Sequence, residues 1–294
     1  MAPFTTESAA DRARRVLFTG LIDDASAYPP RALPLRDSVA AHRELTSGRW
    51  ATLIGPLYVP ALQTADLKDL LRPDEELDIS VVVRPDADLE LVHNAIASTL
   101  DTPGVHVERI EAWWNPTWST MELRGLTLVL QVPRTPHAAL ADIAAGRVAL
   151  QREVVARFHT GVTRIWHWPN EAELAHFIAE AVAAGVPFIL TGGLKPAVRS
   201  TRADAADGQS EQHGLLNVLL AVDTAVRGGA PGAVEAVLAD RDGEDLAARV
   251  AGMGEQRAWA TRAFLRSIGS TDPASLIDNL LAYGLASEPL DPVE

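Results

Sequence analysis

The reactive side chains gather at the ends of short apolar runs. In EVVARFHTG, Arg157 and His159 stand two positions apart, so an extended backbone points both the same way. In PFILTGGLKP, Thr191, Gly193 and Lys195 share one parity around Gly192. Asp23 and Asp24 end one run, Arg84 follows another, Glu111 lies in VHVERIEAW and Gln131 in LTLVLQV. An imidazole near carboxylates is equipped for general acid–base catalysis. His159 would act as acid or base, and Asp23, Asp24 or Glu111 would orient it or serve as second base. Arg84, Arg157 and Lys195 would bind anionic groups or polarise a carbonyl. Lys195, one of only two lysines among 26 basic residues, has Schiff-base formation as its alternative role.

Further residues fit a binding mouth. TGGL (191–194) and SIGSTDP (267–273) are the kind of paired loops that hold an anion on backbone N–H groups and a helix N-terminus. Gly192, Gly193, Ser270 and Thr271 would contribute there, although glycine after a strand is also ordinary turn chemistry. Arg199 follows in the same loop, and His213 and Asn217 lie four apart on one face of the next helix. Trp113, Trp114 and Trp118 fall in one connection, Trp166 and Trp168 in another. Tryptophans at a mouth would wall a planar group, or else form an oligomer interface or pack a lid. No HxH, HExxH, DxDxDG or GxGxxG occurs, so neither a metal nor a dinucleotide cofactor is expected.

The elements that must position these residues alternate regularly. Strands are predicted at 16–22, 51–59, 77–83, 105–113, 126–132, 153–160, 187–194 and 263–269. Helical stripes fill most gaps: Leu89, Val92, Ile96 and Leu100, with Asp86 or Asp88 as N-cap; Leu174, Phe177, Ile178 and Ala181; and Leu276, Ile277, Leu280 and Leu281 after Asp272-Pro273. Eight strand–helix units in 294 residues predict an α/β fold, a single (β/α)8 TIM-type barrel over 1–294, with an open doubly wound sheet as the alternative. Two segments break the rhythm. Residues 113–125 carry no helical stripe, and 199–212 is polar and non-periodic, a surface loop or part of a lid, early in a helical excursion over 195–262 that would act as that lid.

Composition narrows the partners. A formal net charge of −13 disfavours nucleic acid, whose phosphates need a basic footprint. It says little about small anions, which respond to local fields. The absence of cysteine excludes disulfides, thiolate nucleophiles and Cys-ligated zinc. No apolar h-region and no run near ~18 apolar residues point to a cytoplasmic protein without membrane contact; a homo-oligomer is left open.

In RFHTG (157–161), TGGLKPAVR (191–199), HGLLN (213–217), SIGS (267–270) and the LIDDA…YPP opening (21–30), the chain resembles an uncharacterised family of actinobacterial proteins. Those relatives read KFRTGG and TAGLHHP at the first two motifs, so Arg157, His159 and Lys195 are departures from the pattern. The resemblance implies no activity, but it marks 157–161, 191–199 and 213–217 as the functional rim. The resulting expectation is a metal-independent lyase or isomerase acting on a small, anionic, carbonyl-bearing metabolite, its mouth rewired for specialised metabolism. A non-catalytic ligand- or partner-binding barrel and a metal-dependent hydrolase are the alternatives.

Overall fold

The computed structural model describes residues 8–85, 89–121, 123, 125–204 and 208–286. Helix α1 (Ala9–Phe18) precedes β1 (Ile22–Asp24), then come α2 (Leu35–Thr46), β2 (Ile54–Pro60) and β3 (Leu77–Val82). Next are α3 (Leu89–Leu100), β4 (Val105–Trp113), β5 (Thr127–Gln131), α4 (His137–Leu150), β6 (Val154–His159), α5 (Glu171–Ala183) and β7 (Phe188–Thr191). The hairpin β8–β9 (Ser200–Asp204, Gly208–Gln212) follows, then α6 (Leu215–Val226), α7 (Pro231–Ala239), α8 (Gly243–Ala251), α9 (Glu255–Phe264), β10 (Leu265–Ser270) and α10 (Pro273–Ala282). Eight parallel strands close in the order β1-β10-β7-β6-β5-β4-β3-β2, giving the expected (β/α)8 barrel.

Local signals account for the helices. Asn170 and Glu173 form a reciprocal capping box at the start of α5, and Leu174, Phe177, Ile178 and Ala181 bury its stripe. Asp272 caps α10 with Pro273 in its first turn. Val92 and Ile96 of α3 are buried while Leu100 is exposed; Asp86 and Asp88, expected as caps, lie outside the described residues. One large apolar cluster fills the space between strands and outer helices. A separate trio, Val129, Val155 and Ile189, fills part of the barrel interior.

Several expectations are corrected. Residues 16–18 belong to α1, not to the first strand, because Ala13, Leu17 and Phe18 bury one face of a helix. The connection after β2 carries a 3-10 turn, Ala61–Asp69, instead of an α-helix, whereas that after β4 carries only Trp118–Thr120, in keeping with the missing stripe over 113–125. The polar stretch 199–212 is largely the antiparallel hairpin β8–β9. Beyond it, α6 is buried along most of its length and covered by α7, α8 and α9, with Asp223 held bidentate by Arg257 (3.0 and 2.6 Å). The excursion is therefore mainly a second helical layer.

Trp118 is also structural. Its indole is buried outside the barrel, donates to Asp142 (2.6 Å), and lies where a Cβ on Gly146 of α4 would be only 2.4 Å away. Trp114 donates to the same carboxylate (2.9 Å). Trp118→Ala should cost about 3–5 kcal/mol in urea unfolding, with no effect on ligand binding at the mouth described below.

Candidate functional site

The register of the sheet assembles a chain of charges inside the barrel. Ser80 of β3 stands opposite Arg109 of β4, Val82 opposite Glu111, and Gln131 of β5 opposite Arg157 of β6. Asp23 of β1 receives hydrogen bonds on Oδ2 from Arg109, Ser267 and Tyr58. Arg109 Nε donates to Ser80 Oγ (3.3 Å) and lies 3.4 Å from Glu111 Oε1, to which Ser80 also donates (2.6 Å). Arg157 Nη1 donates to Glu111 Oε2 (2.7 Å), and its Nε to Gln131 Oε1 (2.9 Å). The sequence Asp23–Arg109–Glu111–Arg157 thus alternates in sign, and all four side chains are nearly inaccessible to solvent. Burial pushes the Asp23 carboxyl up, against the pull of Arg109 and Ser267. Burial opposes the charge on Arg109, but Asp23 and its other anionic neighbours outweigh it and push that pKa up.

Above this chain, at the C-terminal ends of the strands, lies a cavity of about 520 Å³. Arg157, Gln131, His159 and Thr191 line its floor. The Arg157 Nη2 has no acceptor among the described residues, so it is available to a ligand. Trp113 and Trp166 stack with ring centroids 5.3 Å apart and form one wall, and the Trp166 ring lies 5.9 Å from that of His159. Three arginines, Arg84, Arg157 and Arg164, line the cavity, and no carboxylate among the described residues does. Tyr28 also lines it, with a buried hydroxyl that lacks a partner among the described residues. Burial pushes that phenol up, so it is protonated near neutral pH and carries a proton to donate.

His159 is held by the loops around it. Its Nδ1 lies 3.4 Å from Thr191 Oγ1. Burial, then the charges of Arg157 and Arg134, push the imidazole pKa down to about 4. The ring is therefore neutral near pH 7. The glycines have a packing role here. Gly192 has φ +80° and a Cβ on it would lie 1.9 Å from His159 Cε1; one on Gly161 would lie 1.6 Å from the Gly192 carbonyl oxygen. Gly193 packs against Thr160 in the same way.

Several predicted site residues lie elsewhere. Lys195 is exposed and does not line the cavity: β7 ends at Thr191, and the positive φ of Gly192 and Leu194 breaks the alternation that would have turned the lysine inward. Asp24 faces the helices, bonded to Ser26 N and His42 Nδ1 (3.2 Å), because its neighbour Asp23 takes the interior. Glu111 and Asp23 lie beneath the cavity floor, consumed by the charge chain. Ser270 Oγ accepts from Asp272 N, and Asp272 caps α10, so the helix end that would hold an anion already carries a carboxylate. Thr271 and Arg84 do line the cavity; Trp168 does not, and among the described residues none of the lining comes from 195–262.

Arg199, His213 and Asn217 form a brace. Arg199 pairs with Glu171 (2.6 Å), and its N–H donates to Asn217 Oδ1, while Asn217 Nδ2 donates to the carbonyls of Val237 and Asp240. His213 Nε2 donates to the Pro169 carbonyl, leaving Nδ1 to accept from Arg199. Residues missed from the sequence are Arg109, Tyr58, Ser80, Ser267 and Tyr28. Arg109 stood two positions before Glu111, a same-face spacing that could have found it. Among the described residues no group of three or more His, Asp or Glu is arranged to hold a metal ion, and no helix is long and apolar enough to cross a membrane. No protein-family model matches the chain, and no curated protein or solved structure matches it. The fold and the cavity define a TIM-type barrel with a polar floor at its C-terminal mouth.

Two outcomes follow for this geometry. Glu111→Gln leaves two buried guanidinium groups undercompensated and should cost about 3–5 kcal/mol in denaturant unfolding. Burial, then Arg199, depress His213 to about 4. A depressed folded-state histidine binds fewer protons than the unfolded chain between its two pKa values, so its stabilisation is full above about 6.5 and lost as pH falls through about 4. Stability should drop there by about 1.4 kcal/mol per pH unit for this group, and His213→Gln should remove that part of the slope.

Proposed function

We propose that the barrel is an acid–base enzyme of lyase or isomerase type acting on a small planar carboxylate that carries a carbonyl group. The observation that carries this reading is the lining of the mouth, three arginines and no acid among the described residues, in a chain of net charge −13. Such a wall favours an anion locally against the field of the whole protein. Trp113 and Trp166 offer flat apolar surface, and a cavity of about 520 Å³ accommodates an aromatic or conjugated metabolite.

The roles follow from proton states. Neutral His159 is the base that accepts a proton from a carbon next to the carbonyl. Arg157 Nη2 donates to the oxygen on which negative charge develops, and the Tyr28 hydroxyl is a second donor. Glu111 and Gln131 fix the Arg157 guanidinium, so its orientation is set before the ligand arrives. Asp23 and Arg109 act through Glu111 as positioning residues.

Binding and chemistry can be tested separately. Benzoate and phenylpyruvate should quench tryptophan fluorescence saturably, and neutral benzamide should bind far more weakly. Arg157→Lys should weaken benzoate about tenfold, while Lys195→Ala should leave it unchanged. Equal binding of benzamide, or an unaffected Arg157→Lys, would contradict the anion site. In D2O, the protein should accelerate exchange of the phenylpyruvate α-hydrogens, and His159→Gln should reduce this at least about a hundredfold. Retained binding with no accelerated exchange would leave a ligand-binding barrel without catalysis.

A further inference from the structure

The opposite end of the barrel carries a second cavity, of about 360 Å³, with the reverse charge pattern. Asp23, Glu76, Asp78 and Glu108 line it. Its two arginines are already engaged: Arg109 by Asp23 and Glu111, Arg266 by Glu153 at 3.1 Å. His42 is bonded to Asp24. Of the lining carboxylates, Asp78 and Glu108 form no ion pair among the described residues; Glu76 pairs with His106, and Arg262, outside the lining, acts on Asp23. Like-charge crowding adds to partial burial in pushing Glu108 up.

A second observation singles out a position within it. Asp23 is fully buried, and while its Oδ2 takes three hydrogen bonds, its Oδ1 has no partner among the described residues. That oxygen faces Gly55, at the start of β2, where the side chain is missing. A Cβ built on Gly55 would lie 2.4 Å from Asp23 Oδ1 and 3.5 Å from the Gly20 carbonyl oxygen. Gly20 and Gly55 both line the same cavity. Two acceptor oxygens thus converge on Gly55 with no side chain between them, and neither donates while Asp23 is ionised. Leaving a buried carboxylate oxygen unpartnered is costly, which makes the space selective for a hydrogen-bond donor.

From this we infer that the N-terminal end of the barrel binds a small organic cation through a primary ammonium group. The ammonium would donate to Asp23 Oδ1 and to the Gly20 carbonyl, while Asp78 and Glu108 supply the surrounding negative potential. An ammonium fits the acceptor pair because it brings three donors and a compact charge. Asp23 also begins the charge chain that ends at Arg157, but the amine site needs none of the chemistry proposed at the mouth.

The test uses the full chain and ethylammonium or 1,4-diaminobutane, with tetramethylammonium as an equally charged cation lacking N–H donors. Titration calorimetry and thermal unfolding at constant ionic strength should show saturable binding and stabilisation by the primary amines only. Asp78→Asn and Glu108→Gln lie on the cavity edge, and each should weaken amine binding about two- to fivefold. Lys195→Ala, exposed and outside this cavity, should not change it. Equal stabilisation by tetramethylammonium, or amine binding indifferent to both edge variants, would overturn the proposal, as would no saturable binding of either amine. Gly55→Ala should abolish amine binding; since it crowds Asp23, circular dichroism of the variant serves as the folding control, and the edge variants keep the test decisive if it unfolds.

Discussion

Burying charge inside a β-barrel is tolerable only if every charge meets a counter-charge at hydrogen-bonding distance. Asp23, Arg109, Glu111 and Arg157 satisfy that condition in series, with Ser80, Tyr58, Ser267 and Gln131 taking up other polar atoms. The chain can form only in one strand register. A slip of one residue in β4 would turn Arg109 and Glu111 toward the helices and bring Ile110 inside. Closure of the sheet and pairing of the charges therefore constrain each other. The site depends on both, since the guanidinium at the upper end of the chain is the one presented to the cavity.

The same arrangement gives the barrel two unlike ends. Its interior chain has no net charge, with two carboxylates against two guanidinium groups. The upper cavity, lined by arginines and a neutral imidazole, inverts the field of an acidic protein, whereas the lower one concentrates it. Hydrophobic layers do the insulating: Val129, Val155 and Ile189 fill the interior beside the charges, and stacked tryptophans close one side of the mouth. Low polarisability around the charges keeps each interaction strong and makes errors in pairing expensive.

Much of this was legible in the order of residues. Strand–helix alternation and the Asp272-Pro273 start of α10 were readable because they are local. The two-residue parity put Arg157, His159, Gln131 and Thr191 on the inner face, where the structure has them. Parity failed where the strand ended. Lys195 lies beyond a glycine in left-handed conformation, and counting by twos carries no information past such a turn. It left Asp23 and Asp24 undecided, because the choice between two adjacent aspartates is made by Arg109, a residue 86 positions away. Arg199, His213 and Asn217 look like site residues in sequence, but they satisfy one another and nearby carbonyls, which no spacing reveals. The glycines of TGGL suggested an anion cradle; their use is to let two loops and an imidazole close on one another.

The central claim is that the charge chain presents Arg157 to the mouth beside an imidazole that stays neutral. A 15N-NMR titration of His159, assigned by comparison with His159→Gln, tests this directly. The account predicts a ring held as one neutral tautomer from pH 8 down past pH 6, titrating only near the depressed value of about 4. A midpoint at or above about 6.5, the value of a solvated histidine, would show that His159 is neither buried nor under the influence of Arg157, and would contradict the account.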